Sequence, residues 1–154
     1  MTTLERFSNT AQLLFESLGY SITSSSTSVH TELEMMIVHI TLNKDLPAGI
    51  LEELTIAAQP LIRSMVAHQQ NIDEDTVQIS LDINNHLGIL IEQLRIQARA
   101  YADRAMTFGV PIHMAPVTAF HRRIIHTFLQ KTPGIKTESF GIGRDRHIVI
   151  SVQD

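Results

Sequence analysis

Between residues 77 and 108 the hydrophobic pattern changes period once, and that change decides most of what the chain can fold into. Val77, Ile79, Leu81 and Ile83 alternate with Gln78, Ser80 and Asp82. A period of two is a strand with one face buried. From about Asn85 to Phe108 the apolar positions become Leu87, Leu90, Ile91, Leu94, Ala98, Tyr101, Ala102, Ala105 and Phe108. That stripe predicts a long amphipathic helix, which Gly109 is placed to end.

The same test extends along the chain. Leu4, Phe7, Ala11, Leu14, Phe15 and Leu18 predict a helix over 3–18, with Gly19 as its stop. Residues 21–28 are rich in Ser and Thr and fit an edge strand or a loop. Residues 33–42 read as a strand, broken by Asn43–Leu46 and Pro47. Leu51, Leu54, Ala58, Leu61 and Met65 give a helix over 49–68, which Pro60 is expected to kink or split. The acidic run Asp73–Asp75 turns the chain. Beyond Gly109, residues 110–114 look extended, Pro116 opens a helix to about Lys131, and Pro133-Gly134 makes a turn. Two strands, at about 135–141 and 146–152, close the chain. The order is αββαβ, a long helix, then βαββ: an α+β chain of two small domains joined through one helix. The boundaries expected are 1–84 and 85–154.

Composition limits the function classes. Of the 154 residues 44% are hydrophobic and 18% charged, so a core can form. There is no Cys, which excludes disulfides and thiolate nucleophiles and fits a reducing cytoplasm. The start, MTTLERFSNTAQLLF, lacks the basic residues and long apolar run of a secretory signal. No apolar stretch approaches the length of a membrane span. Charge is unevenly spread. Residues 1–90 hold 3 Lys/Arg against 11 Asp/Glu, a balance of −8, whereas residues 91–154 hold 9 against 5, a balance of +4. A basic half on an acidic chain suggests a polyanionic partner met locally, and it equally fits ordinary variation between two domains.

The basic half concentrates its chemistry near the end. In the helix from Pro116, Val117, Phe120, Ile124, Phe128 and Leu129 share an inward face. Arg122 and His126, four apart, share another. Arg123 and Lys131 add charge at its edge. The hairpin that follows brings Lys136, Thr137, Ser139, Arg144, Arg146 and His147. Arg carries permanent charge on a planar fork of donors, Ser and Thr hydroxyls donate to phosphate oxygens, and His donates and stacks on bases. The same spacing also fits a solvated helix face with ordinary strand hydroxyls.

Residues 120–150, FHRRIIHTFLQKTPGIKTESFGIGRDRHIVI, resemble the Arg-x-x-x-His (R-3-H) domain of the bacterial Jag family of KH/R-3-H proteins. Arg122 and His126 supply the naming pair, with His121 where the family usually has Glu. Thr137, Glu138, Ser139 and Gly141 fit its T-E-S-x-G block. Arg146 fits the first Arg before the last strand, and His147 replaces the second. RIQARAYADRAMTFGVPI, residues 95–112, looks like the family's linking helix and G-x-P turn. The resemblance implies binding of single-stranded RNA or DNA without chemical turnover. In that role Arg122 and Arg146 neutralise phosphate and His126 meets sugar, phosphate or base. Arg123, Lys136 and Arg144 widen the field, while Thr137 and Ser139 fix register.

Residues 1–84 resemble the family's KH unit, of type II, in layout. The carriers are FSNTAQLLFESLGY, the strand through 37–42 and Gln59 in a long helix. A KH fold grips nucleic acid through a G-x-x-G loop, which aligns here with Gly49-Ile50-Leu51-Glu52. The second Gly is Glu, a side chain there blocks close backbone approach, and Glu52 and Glu53 repel phosphate. The resemblance therefore implies a KH-like fold with a degenerate loop. The extra N-terminal module of many members is not expected. The alternative function is a protein-interaction adaptor, pairing the acidic half with itself or with another KH-domain protein.

No enzyme is expected. There is no nucleophile elbow, Walker loop or dinucleotide Gly pattern, and Gly141-Ile142-Gly143 reads as a turn. The eight His residues are scattered without a His-x-x-x-His pair, so no metal and no cofactor are expected. Glu92, Arg95, Arg99 and Asp103 are spaced for an ion-pair ladder along the long helix.

Overall fold

A computed structural model of the chain describes residues 1–74 and 77–153, so Asp75 of the acidic run lies outside the described residues. The chain divides into two compact units, Met1–Ile89 and Leu90–Asp154. Because residue 90 is uncharged, the balances of −8 and +4 carry over to the two units. No helix among the described residues is long and apolar enough to cross a membrane.

The first unit runs α1 (Thr3–Ser17), β1 (Ile22–His30), β2 (Met35–Leu42), α2 (Ala48–Gln70) and β3 (Ile79–Ile83). Thr2 and Glu5 cap α1 reciprocally in a capping box. The backbone hydrogen bond from Thr2 holds the Glu5 carboxyl below its ordinary pKa. Phe7, Ala11 and Phe15, each four apart, are fully buried. They pack with Val38, Ile40, Ile62, Leu81 and Ile83 into one core, where a fully buried Phe, Leu or Ile side chain contributes roughly 1.5–3 kcal/mol. The sheet order is β1-β2-β3, β1 antiparallel and β3 parallel to β2. The Ser/Thr-rich segment is thus the edge strand and buries none of its residues.

Helix α2 supplies the crossover that a parallel pair requires, and it also covers the free edge of β3. From positions four apart, the Gln59 side chain accepts from the Leu81 N–H at 2.9 Å and the Arg63 guanidinium donates to the Ile79 carbonyl at 3.3 Å. An edge closed by side chains resists pairing with another strand.

Three expectations change here. Gly49–Glu52 is not a loop, because α2 is already helical at Ala48 and those residues form its first turn. Of the two outcomes expected at Pro60, a kink or a split, the split does not occur, since the helix continues to Gln70. Strand β3 is buried along its whole length, not on one face, because its polar side chains are matched. Ser80 donates to the Met35 sulfur at 2.9 Å. Asp82, 1% exposed, accepts from His39 Nδ1 at 2.8 Å and from the Leu87 N–H at 2.9 Å.

Helix α3 (His86–Phe108) leaves β3 through Asn84 and Asn85, both at positive φ. Leu87, Ile91, Leu94, Ala98, Ala102 and Ala105 of the expected stripe are buried, but Phe108 is 66% exposed. Gly109, at φ +63, ends the helix. The ion-pair ladder does not form: among the described residues Glu92, Arg95, Arg99 and Asp103 make no pair with one another, and Arg95 lies over the Phe128 ring, 5.4 Å from its centroid.

The second unit continues with β4 (Ile112–His113), α4 (Ala119–Leu129), β5 (Ile135–Phe140) and β6 (His147–Val152). The strands form an antiparallel sheet of order β4-β6-β5. Helix α4 begins at Ala119 and not at Pro116, because Thr118 is the N-cap, its side chain accepting from the His121 N–H. Ile124, Ile125 and Leu129 are its buried residues, while Val117, Phe120 and Phe128 are half-buried. Ile148 and Ile150 of β6 are buried in the same unit.

Candidate nucleic-acid interface

Strand alternation sorts the basic and hydroxyl residues of the second unit onto two faces of its sheet. Opposite partners in an antiparallel pair lie on the same face. Thr137 stands opposite the buried Ile150 and Ser139 opposite the buried Ile148, so both belong to the helix-covered side. Lys136 stands opposite Ser151, Glu138 opposite Val149 and Phe140 opposite His147, on the other side.

Helix α4 brings Arg122 and His126 to the first of these faces. Arg122 is half-buried. Its Nη1 donates to the Val117 carbonyl at 2.6 Å and to the Arg146 carbonyl at 3.5 Å. Both bonds leave from one nitrogen, so Nη2 and Nε retain donors. His126 is exposed, with Nδ1 hydrogen-bonded to the Thr137 hydroxyl, and Nε2 has no hydrogen-bond partner among the described residues. The imidazole is thus tied to β5, while the guanidinium is held chiefly by the Val117 carbonyl beside its own helix and makes only a long contact to Arg146, the residue before β6.

The hairpin turn is shaped by glycine. Gly141 sits at φ +91, and a Cβ there would meet the Asp145 carbonyl oxygen at 2.9 Å. Only glycine allows that approach. The turn places Arg144, in a short 3-10 segment at Gly143–Asp145, and Arg146 in solvent. Arg123 is exposed on α4 and Ser139 on β5.

Arg122, His126, Thr137 and the Arg146 backbone are therefore brought together. Lys136 is not. It lies on the other side of the sheet, 2.7 Å from Glu138, and that partner's hydrogen bond raises its pKa. Sequence reasoning grouped it with Thr137 because adjacent residues of a strand look alike until the register is known.

Two groupings escaped the sequence altogether. On the first unit's sheet, Ser28 Oγ lies 2.6 Å from His39 Nε2, and His39 Nδ1 lies 2.8 Å from Asp82. With Nδ1–H donated to the carboxylate, Nε2 accepts from the Ser28 hydroxyl. As the other Asp82 oxygen takes the Leu87 N–H, this chain satisfies a buried carboxylate. On the second unit's open sheet face, the His113 and His147 rings are 5.2 Å apart and the Phe140 and His147 rings 6.0 Å apart. Phe140 joins it only through the hairpin register, which sets it opposite His147. His113 joins through the two-residue strand β4. Among the described residues no cluster of three metal-ligating side chains forms.

Residues 91–152 match the family model of the R-3-H domain. The RNA-binding protein KhpB of Clostridium symbiosum is 26% identical over 143 residues, which are 91% of this chain and 62% of that protein. The chain thus spans less than two thirds of that relative's length.

Proposed function

We propose that the chain binds single-stranded nucleic acid, RNA or DNA, through the residues that match the R-3-H domain, as a non-catalytic, Jag-like RNA-binding regulator of the cytoplasm. The observation that carries this reading is the pairing of Arg122 and His126 on one helix face, in contact with the hairpin that supplies Arg144 and Arg146. A pre-positioned guanidinium loses little further freedom on meeting a phosphate. The family match and the name of the curated relative point the same way. In this reading Arg122 and Arg146 neutralise phosphate, His126 Nε2 meets sugar, phosphate or base, and Thr137 fixes the imidazole. Arg123 and Arg144 widen the positive field, and exposed Ser139 adds a hydroxyl. In this reading residues 1–84, of order αββαβ, form a degenerate KH-like unit, and the residues aligned with the G-x-x-G loop are spent on a helix turn.

The test is Arg122→Ala combined with His126→Ala in the full chain, by fluorescence polarisation on short RNA and DNA oligonucleotides. Affinity falls on the order of 10- to 100-fold, equivalent to about 1.4–2.8 kcal/mol. Unchanged binding removes the site.

The acidic first unit favours a second role, compatible with the first: self-association or pairing with a KH-domain protein. Its edge strand β1 offers nine residues of one edge for strand addition. Light scattering of the full chain reads self-association directly; a monomer at all concentrations removes that form of it.

A further inference from the structure

The second unit's sheet carries helix α4 on one side only. Its other side holds His147, Val149 and Ser151 of β6, His113 of β4, and Lys136, Glu138 and Phe140 of β5. Phe140 is 65% exposed, and Ile142 in the adjoining turn is 90% exposed. Neither contributes to a core. The rings are nevertheless ordered. His147 Nδ1 lies 2.8 Å from the Asp145 carbonyl, so that nitrogen carries the proton. His147 Nε2 then accepts from His113 Nδ1–H at 3.0 Å. A chain of two hydrogen bonds thus fixes both imidazoles, and Phe140 meets His147 edge-on at 62°.

Resting on the nucleic-acid reading above, we infer that Phe140, His147 and His113 form a platform on which unpaired bases of the bound strand stack. Three observations favour bases over any other occupant. Two of its three rings are already held in place by hydrogen bonds, and pre-ordered aromatic rings are what sequence-tolerant stacking uses. Arg144 and Arg146 stand in the turn that joins β5 to β6, Arg146 directly before His147, which supplies cations for phosphates at the end of the sheet where Phe140 and His147 lie. The face's own charges, Lys136 and Glu138, neutralise each other at 2.7 Å and leave it without net repulsion. Bases inside a duplex are already stacked and cannot use the platform. It therefore makes the protein choose single strands, which the cations alone cannot do.

The experiment compares the full-length protein with Phe140→Ala and Phe140→Trp. Polarisation is read on a short single strand, its duplex and an abasic strand of the same length, each over a salt series. Phe140 is exposed, so Phe140→Ala is expected to melt with the wild type. Phe140→Ala binds the single strand about 5- to 150-fold more weakly, the range for one lost stacked base. It keeps the wild-type salt slope, since no cation is removed, and binds the abasic strand as the wild type does. Phe140→Trp restores single-strand affinity, and 2-aminopurine in the strand is quenched by the wild type and not by Phe140→Ala. If the wild type binds with a salt slope but Phe140→Ala matches it on single and abasic strands, the platform is refuted while the cationic site stands. If the wild type binds no strand, both fail together.

Discussion

Asp82 is a carboxylate at 1% exposure, and its presence in the core depends on His39 and the Leu87 N–H, which fill its two oxygens. Removing one partner of a buried polar pair strands the other. Asp82→Ala is expected to destabilise the first unit by about 1–3 kcal/mol, and Asp82→Asn, which keeps an acceptor, by less. Urea denaturation of the two variants checks this; equal midpoints for Asp82→Ala and wild type would show the contacts to be idle. Nothing in the sequence exposed this residue. Alternation assigned it to solvent, and only the register of β3 against β2 sets it beside His39. Arg122 and His126 were legible for the opposite reason. A spacing of four within one helix is a local property, readable without knowing what packs where.

At the scale of elements, the hairpin β5–β6 holds the candidate site together. It ties His126 through Thr137 and makes a long contact to Arg122 through the Arg146 carbonyl. Gly141→Ala places a Cβ against the Asp145 oxygen at a strained φ, which costs about 1–3 kcal/mol. The expected outcome is a lower melting temperature together with weaker oligonucleotide binding. A variant that melts normally and binds normally would mean the turn does not set the site. The order αββαβ, α, βαββ was legible because each element carries a clear period or breaker. Element ends and faces were less so. Pro116 looked like a helix start, but the cap belongs to Thr118. Lys136 and Thr137 looked equivalent until the hairpin register put them on opposite faces.

For the whole molecule, the uneven charge is the property that governs binding. A unit of −8 repels polyanions while a unit of +4 attracts them, so the proposed binding is expected to be modest in affinity and confined to the second unit. The most direct measurement is the dependence of affinity on salt for the full chain and for Arg122→Ala, on a short single strand. The account predicts a slope of log K against log salt of about −2 to −3, from three or four neutralised phosphates at roughly −0.7 each. Arg122→Ala then loses about 0.7 of that slope. A slope near zero, or one that Arg122→Ala leaves unchanged, would contradict it.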